Sequence, residues 1–436
     1  MKKVLVLGKG KSGLAAKHLL ENDGFLVTMV DDQDLCFEER ELSSFCFVVT
    51  SPGFSPTNKW TCVCKKAGLR ILSELDLGLL HLETPNVIAV TGTNGKTTCT
   101  MLLKALLGQN SFALGNVGTP LCEKVGEIYK QANVVLEVSS FMLFQSEKLS
   151  PKIAILTNIS PDHKEWHGSF EAYRKSKLKI FEGQQKEAHA ILCADDEDFE
   201  RIRKSVVCNL WCISLERRVK GCFVNQENII FWDGHIYETV AKLEDVHLAG
   251  RHNLKNVLMC VLAAKLCGVK NDAIANRLKN FAGLLHRIAL VLSINGVDFV
   301  NDSKSTNTDS TLVACKTFLK PITLLVGGYD KGICALEMFE ALNGVVDSVV
   351  AFGECGPKFF CEARHAGLKK VFLKNRLSDA FEFATKITKQ GGVVLLSPAT
   401  SSFDEFVDYK QRGEAFEQLV KDFEQNQAKA FANKTF

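Results

Sequence analysis

Residues 87–98 read Val-Ile-Ala-Val-Thr-Gly-Thr-Asn-Gly-Lys-Thr-Thr. The unbroken apolar run Val87–Val90 is the pattern of a strand covered on both faces, as in a parallel sheet. It runs into Gly92, Gly95 and Lys96. Beyond them Leu102, Ala105 and Leu106 mark one face of a helix from about Thr98 to Leu107. A strand, a glycine loop, Gly-Lys-Thr and a helix form the mechanical context of a phosphate-binding loop. Backbone N–H groups of Gly92, Thr93, Asn94, Gly95, Lys96, Thr97 and Thr98 wrap the phosphates, the Lys96 ammonium balances their charge, and the Thr97 hydroxyl reaches Mg²⁺. The Gly-x₂-Gly-Lys spacing is tighter than the general Gly-x₄-Gly-Lys pattern, so a plain glycine turn before a lysine is the bland alternative.

Upstream, Val4–Leu7 leads into Gly8, Gly10 and Gly13, then a helix over Ala15–Leu20 and a second strand over Phe25–Val30 ending at Asp31. That is a strand–turn–helix–strand unit whose glycines admit a phosphate at the helix N-terminus. A third strand, Phe45–Val49, ends at Ser51-Pro52-Gly53, and the pattern restarts near Thr84-Pro85. Downstream of the phosphate loop, Val134–Val138 carries Glu137 inside an apolar run, where an acid needs a cation or a metal as partner. A satisfied core salt bridge is the alternative. Ile153–Leu156 precedes Asn158 and the pair Asp162-His163, at a strand C-terminus where open α/β sheets hold ligands. A lysine-rich amphipathic helix spans Phe170–Glu182, with most of its lysines expected in solvent. A helix from Leu248 to about Cys267 places Asn253 and Asn256 near its start. A last unit opens around Leu284. It holds His286-Arg287, a hairpin-like Val297–Val300, Asn301-Asp302-Ser303-Lys304-Ser305-Thr306-Asn307, Lys331 after Leu324–Gly328, and Ser397–Asp404 after Val393–Leu396.

The fold expected is α/β in three domains. Residues 1–84 form a Rossmann-like nucleotide-binding domain, 85–284 a central P-loop ATPase-like domain with a mostly parallel sheet, and 285–436 a C-terminal Rossmann-like domain. The length of 436 residues agrees with three domains at roughly 150 residues each. A net charge of +3 argues against nucleic-acid or polybasic membrane binding, both of which need clustered cations. No apolar run approaches the ~20 residues that span a bilayer, and the N-terminal apolar stretch is too short for a signal peptide, so a cytoplasmic setting is expected. The 16 cysteines are scattered without paired zinc spacing, which makes them packing residues rather than ligands.

Taken in order, Thr91–Thr98, Glu137-Val-Ser-Ser-Phe141, Asn158, Asp162-His163, Lys177, His252-Asn253, Asn256, His286-Arg287 and Asn301–Asn307 resemble the Mur ligases. These are ATP-dependent amino-acid ligases of cytoplasmic peptidoglycan synthesis. Within the family, Gly8–Gly13, Asp302–Asn307, Gly327–Gly332 and Ser397–Asp404 resemble the D-glutamate-adding branch. The resemblance spans nearly the whole chain. It implies that ATP activates the L-alanyl carboxylate of UDP-N-acetylmuramoyl-L-alanine as an acyl phosphate, which the amine of D-glutamate then attacks. It also implies a set of roles. Lys96, Glu137, His163 and Lys177 are catalytic. Thr97 and Glu137 hold one Mg²⁺, and His163 with a Lys177 carbamylated by CO₂ holds a second. Asn253, Asn256, Arg287 and Asp302 join the ATP set, while Gly8, Gly10, Gly13, Asp31, Ser51, Gly53 and Asn116 line the UDP-substrate site. Lys304, Thr306, Lys331, Ser402, Phe403 and Tyr409 contact D-glutamate, and the protein acts as a monomer. The chain departs from the family pattern at Met142, where Gln is common, and at Lys164, Glu165 and Trp166 beside His163. Two alternatives are a folylpolyglutamate-synthetase-like ligase, which lacks the N-terminal unit, and an NAD-dependent oxidoreductase, which leaves the second phosphate loop unexplained. A non-catalytic nucleotide-regulated binding protein is a third.

Overall fold

The structure is a computed structural model that describes residues 1–432 except 33, 35–38, 85, 117, 249, 282 and 284. The boundary residues Pro85 and Leu284, and the side chains of Lys164 and Glu165, lie outside what is described. Three sheets form. The first has four parallel strands in the order Leu26–Val30, Lys3–Leu7, Phe45–Thr50, Ile71–Ser73. The third has six, with a parallel body of Val297–Asn301, Val393–Leu396, Ile322–Gly327, Ser348–Phe352 and Val371–Leu373, and Ala289–Ile294 added antiparallel at one edge. The hairpin expected around residues 297–300 is this edge.

The central sheet has nine strands. Ser111–Gly115, Asn133–Glu137, Val87–Thr91, Ile153–Leu156, His189–Cys193, Asn209–Ser214 and Gly221–Asn225 run parallel in that order, and Asn228–Trp232 and Tyr237–Lys242 extend it antiparallel. Every residue of Val87–Thr91 is buried, as expected of a strand with helices on both faces. The strand sits between Asn133–Glu137 and Ile153–Leu156 with Val90 opposite Glu137 and Thr91 opposite Leu156. Because all three run the same way, the phosphate loop, Glu137 and the Thr157–His163 segment leave the sheet at one edge. The topology therefore gathers residues that are up to seventy positions apart.

Two helices begin earlier than apolar periodicity indicates, whereas the helix carrying Asn253 and Asn256, expected from Leu248, begins later, at Arg251, and ends at Leu266. The first runs Lys11–Asn22 with Gly10 at its cap, and the phosphate-loop helix runs Lys96–Leu107 with Gly95 at its cap. Their opening turns are polar, so periodicity does not mark them. The lysine-rich helix closes at Leu178 and continues as one 3₁₀ turn, Lys179–Phe181.

Two compact units result. One comprises residues 1–247 and 253–281, and the other 248–252 and 282–436. The first and central sheets thus share a unit, and buried acids of the helix Glu74–Leu80 join them. Glu74 Oε1 accepts from the Cys122 N–H at 2.9 Å, and burial raises its carboxyl above the usual range. The Asp76 carboxylate accepts from Ser146 Oγ at 2.5 Å, Glu147 N at 3.0 Å and Lys148 N at 3.1 Å. Removing an acceptor that satisfies buried donors costs about 1–3 kcal/mol each. Asp76→Ala is therefore expected to lower the stability of the first unit by about 2–4 kcal/mol, measured by urea unfolding.

Candidate functional site

The phosphate loop is built by close approach. Gly92 has φ 149°, and a Cβ there would lie 1.8 Å from Thr157 Oγ1. Gly95 has φ 85°, and its Cβ would lie 2.6 Å from Asn256 Oδ1, so only glycine lets the helix carrying Asn253 and Asn256 press on the loop. Both asparagines are buried, and Asn256 Nδ2 donates to Asn253 Oδ1 at 3.4 Å. Asn94 is clamped: its N–H donates to Asn158 Oδ1 at 3.0 Å, and its carbonyl accepts from Thr157 Oγ1 at 2.5 Å and Asn158 Nδ2 at 3.0 Å. Thr93 Oγ1 bonds Ser160 O and the Tyr173 hydroxyl at 3.1 and 3.0 Å. Lys96 Nζ curls over the loop onto Gly92 O at 2.8 Å and Thr93 O at 2.7 Å. Thr97 is half-buried beside it, and the buried Thr98 Oγ1 has no hydrogen-bond partner among the described residues.

Lys177 is not one of the solvated lysines of its helix. It is 1% exposed, its Nζ donates to the same Gly92 O at 2.7 Å, and it lies 4.7 Å from the centre of the Tyr173 ring. Burial, and then the nearby Lys96, push its amine well below the ordinary lysine range, with Asp162 and Glu137 opposing. Glu137 is buried at its strand end. Its Oε1 accepts from Asn116 Nδ2 at 2.8 Å, while Oε2 is buried with no partner among the described residues. An orphaned carboxylate oxygen beside a phosphate loop suits a divalent cation. Among the described residues no three His, Cys, Asp or Glu side chains group as a metal cage. Asn116, expected on the UDP side, stands against Glu137 and joins the two sets.

His163 has φ 49°, and its Nε2 lies 3.6 Å from Asp162 Oδ2. The ring meets Phe141 edge-on at 4.8 Å. Sequence reasoning gave no role to His167. Its Nε2 meets Ser140 Oγ at 3.0 Å and its ring stacks on Phe141. Burial, with His163 and Lys177 near, lowers its imidazole to about 4. Trp166 packs on Phe141 and Phe144, which gives this departure an aromatic packing role.

In the first sheet, Gly8 and Gly13 are places of close approach. A Cβ on Gly8 would lie 2.6 Å from Ser51 Oγ, and one on Gly13 would lie 1.9 Å from Gly8 O. Gly10 and Gly53 face open space. Asp31 accepts from the Lys9 N–H at 2.9 Å. Ser51 Oγ is buried without a partner among the described residues.

In the second unit Asp302 is buried and accepts from Ser397 Oγ at 2.7 Å and Ile288 N at 3.2 Å. Arg287 Nε is buried without a partner among the described residues. Lys304 Nζ lies 5.5 Å from the Tyr409 ring centre, and Lys331 Nζ donates to Thr306 O at 3.2 Å. Ser402 is buried, whereas Phe403 is exposed and meets Tyr329 edge-on. Arg412, which the sequence did not single out, is fully buried. It donates to Ser303 Oγ and O, Thr400 O and Ser401 O at 2.9–3.1 Å. This fork ties the loop carrying Lys304 to the loop carrying Ser402.

A phosphate loop, an orphaned acid and a buried lysine of lowered basicity at one sheet edge define a nucleotide-dependent enzyme. Residues 90–264 match the model of the Mur ligase middle domain. The chain is 35% identical to the UDP-N-acetylmuramoylalanine–D-glutamate ligase of Syntrophus aciditrophicus, over 97% of this chain and 98% of that one. It is 36% identical to the ligase of the same name from Acidobacterium capsulatum, over 96% of each. In fold it is similar to the UDP-N-acetylmuramate–alanine ligase of Thermotoga maritima, with a TM-score of 0.61 and 18% identity over 97% of this chain and 100% of that one. The chain belongs to the Mur ligase family, ATP- and Mg²⁺-using enzymes that form amide bonds in peptidoglycan precursor synthesis. No described helix is long and apolar enough to cross a membrane.

The Asp302 carboxyl gives a pH signature. Burial raises it to about 6 from an ordinary 3.8. The folded unit therefore holds a proton that the unfolded chain has released, and stability falls as pH rises from about 4 to about 6 and is level above. Asp302→Asn is expected to flatten this slope in urea midpoints taken from pH 4.5 to 7.5. An unchanged slope would contradict it.

Proposed function

We propose that the chain joins D-glutamate to UDP-N-acetylmuramoyl-L-alanine, with ATP converted to ADP and phosphate. One observation carries the choice of substrates: near-full-length identity of 32–36% to relatives that all bear the name UDP-N-acetylmuramoylalanine–D-glutamate ligase. The presence of a first nucleotide-type sheet before the phosphate loop supports it against a folylpolyglutamate-synthetase-like reading.

In this reading the L-alanyl carboxylate oxygen attacks the γ-phosphorus as ADP departs, forming an acyl phosphate. The neutral amine of D-glutamate then attacks the acyl carbon, loses a proton, and expels phosphate. Catalysis rests on holding crowded anions in place. Loop N–H groups of residues 92–98 and the Lys96 ammonium bind the phosphates. Thr97 and Glu137, with its orphaned oxygen, would hold one Mg²⁺, and His163 with Lys177 would hold a second. Bound there, the ions supply charge neutralisation at the phosphoryl oxygens. Lys177 serves as a carbamate, formed when its neutral amine adds CO₂ and releases a proton. The burial that lowers this amine well below the ordinary lysine range supports that chemistry.

Asn253 and Asn256 are proposed for adenine, and Arg287 and Asp302 for the same nucleotide. Gly8, Gly10, Gly13, Asp31, Ser51, Gly53 and Asn116 are proposed for the UDP-substrate. Lys304, Thr306, Lys331, Ser402, Phe403 and Tyr409 are proposed for D-glutamate, whose two carboxylates suit two lysines. The division into domains 1–84, 85–284 and 285–436, a monomeric state and a cytoplasmic setting belong to the same reading.

Phosphate release with ATP, Mg²⁺ and UDP-N-acetylmuramoyl-L-alanine is expected with D-glutamate and not with L-glutamate, L-lysine or diaminopimelate. Release without amino-acid preference would overturn the assignment. Lys177→Ala is expected to lower this rate by about 100-fold or more, and a variant with full activity would remove Lys177 from the site.

A further inference from the structure

The short helix Ser140–Gln145 starts three residues after Glu137 and touches two regions of the first unit. At its start, Ser139 Oγ caps the Met142 N–H at 3.2 Å, Ser140 Oγ meets His167, and Phe141 packs on both His163 and His167. Met142 and Leu143 point into the core. At its end, Gln145 Nε2 donates to the backbone carbonyl of Phe54 at 2.6 Å. Phe54 closes the turn after the strand Phe45–Thr50, its N–H donating to Ser51 O at 3.1 Å, while the Ser51 N–H donates to Leu7 O at 2.9 Å. The turn therefore lies at the C-terminal edge of the first sheet beside Gly8, where an open parallel sheet takes its ligand.

The orientation of the Gln145 amide is informative. A carbonyl can only accept, so the NH₂ must face Phe54, and this leaves Oε1 buried with no partner among the described residues. An apolar side chain would avoid that cost. The amide is useful for its donor alone. The Phe54 carbonyl is more than ninety residues away in sequence, so the bond fixes the Ser51–Phe54 turn to the central sheet's own framework. The far side of the same helix end is held by Asp76, which binds Ser146, Glu147 and Lys148. Gln145 is thus anchored from behind and grips the turn in front.

We propose that Gln145 is a positioning residue for the nucleotide-sugar substrate, holding the Ser51–Phe54 turn in its binding geometry through the Phe54 carbonyl. This role rests on the substrate assignment above. It predicts an effect on one ligand only. Gln145→Met keeps the size and removes the donor. Its affinity for UDP-N-acetylmuramoyl-L-alanine, measured by calorimetry on the full chain, is expected to fall about ten-fold, as for loss of one hydrogen bond. Its affinity for ATP with Mg²⁺ and its thermal midpoint are expected to stay near wild type.

Gln145→Glu supplies the control that a general packing role would not pass. At pH 8 its carboxylate opposes the Phe54 carbonyl and binding is expected to be weaker than in Gln145→Met. Equal affinity of wild type and Gln145→Met for the nucleotide sugar overturns the proposal and leaves the functional reading intact. A parallel loss of ATP affinity and thermal midpoint, or Gln145→Glu binding the nucleotide sugar as tightly as wild type at pH 8, also overturns it. Failure of the wild type itself to bind the nucleotide sugar overturns the functional reading, and this role with it.

Discussion

One carbonyl oxygen organises the central site. Gly92 O accepts from Lys96 Nζ at 2.8 Å and from Lys177 Nζ at 2.7 Å. Two ammonium groups on a single acceptor in a buried place repel strongly, because little solvent screens them. The two lysines share the conflict unequally. Lys96 is half-buried on a helix start, whereas Lys177 is almost fully enclosed, so Lys177 is the one driven toward its neutral form. The glycine matters twice over. Its backbone conformation and its lack of a Cβ bring the carbonyl to both lysines and let Thr157 close on the other side.

Everything else at this edge follows from strand order. Val87–Thr91 lies between the strands that end in Glu137 and Leu156. Parallel register then delivers an acid, an asparagine clamp and a histidine segment to the same rim as the loop. Charge is arranged here in a definite pattern: a cation for phosphates, an acid with one unused oxygen, and an amine of lowered basicity. That pattern matches a ligase that must gather several anions and an amine nucleophile without covalent help from the protein.

Much of this was legible in the chain. The apolar runs before Thr91, Glu137 and Thr157 are strands because nothing polar interrupts them, and the glycines at 92 and 95 stand where only glycine fits. Residues that owe their state to distant partners were not legible. Lys177 sits in a lysine-rich helix whose periodicity alone puts lysines in water; only its i,i+4 relation to the buried Tyr173 hints otherwise. Nothing in the sequence marks Glu74 and Asp76 as buried, yet they tie the first sheet to the central one. Gln145 and Arg412 each act through backbone carbonyls that are far away in sequence, and carbonyls have no signature in the amino-acid code.

The most direct measurement is the titration of the Lys177 ε-amine in the full chain, followed by NMR on lysine labelled with ¹³C at Cε and assigned with Lys177→Arg. The account predicts one resonance, absent in the variant, that loses its proton well below the ordinary lysine value of 10.5. A Lys177 amine that titrates with the surface lysines would contradict the shared-carbonyl account of the site.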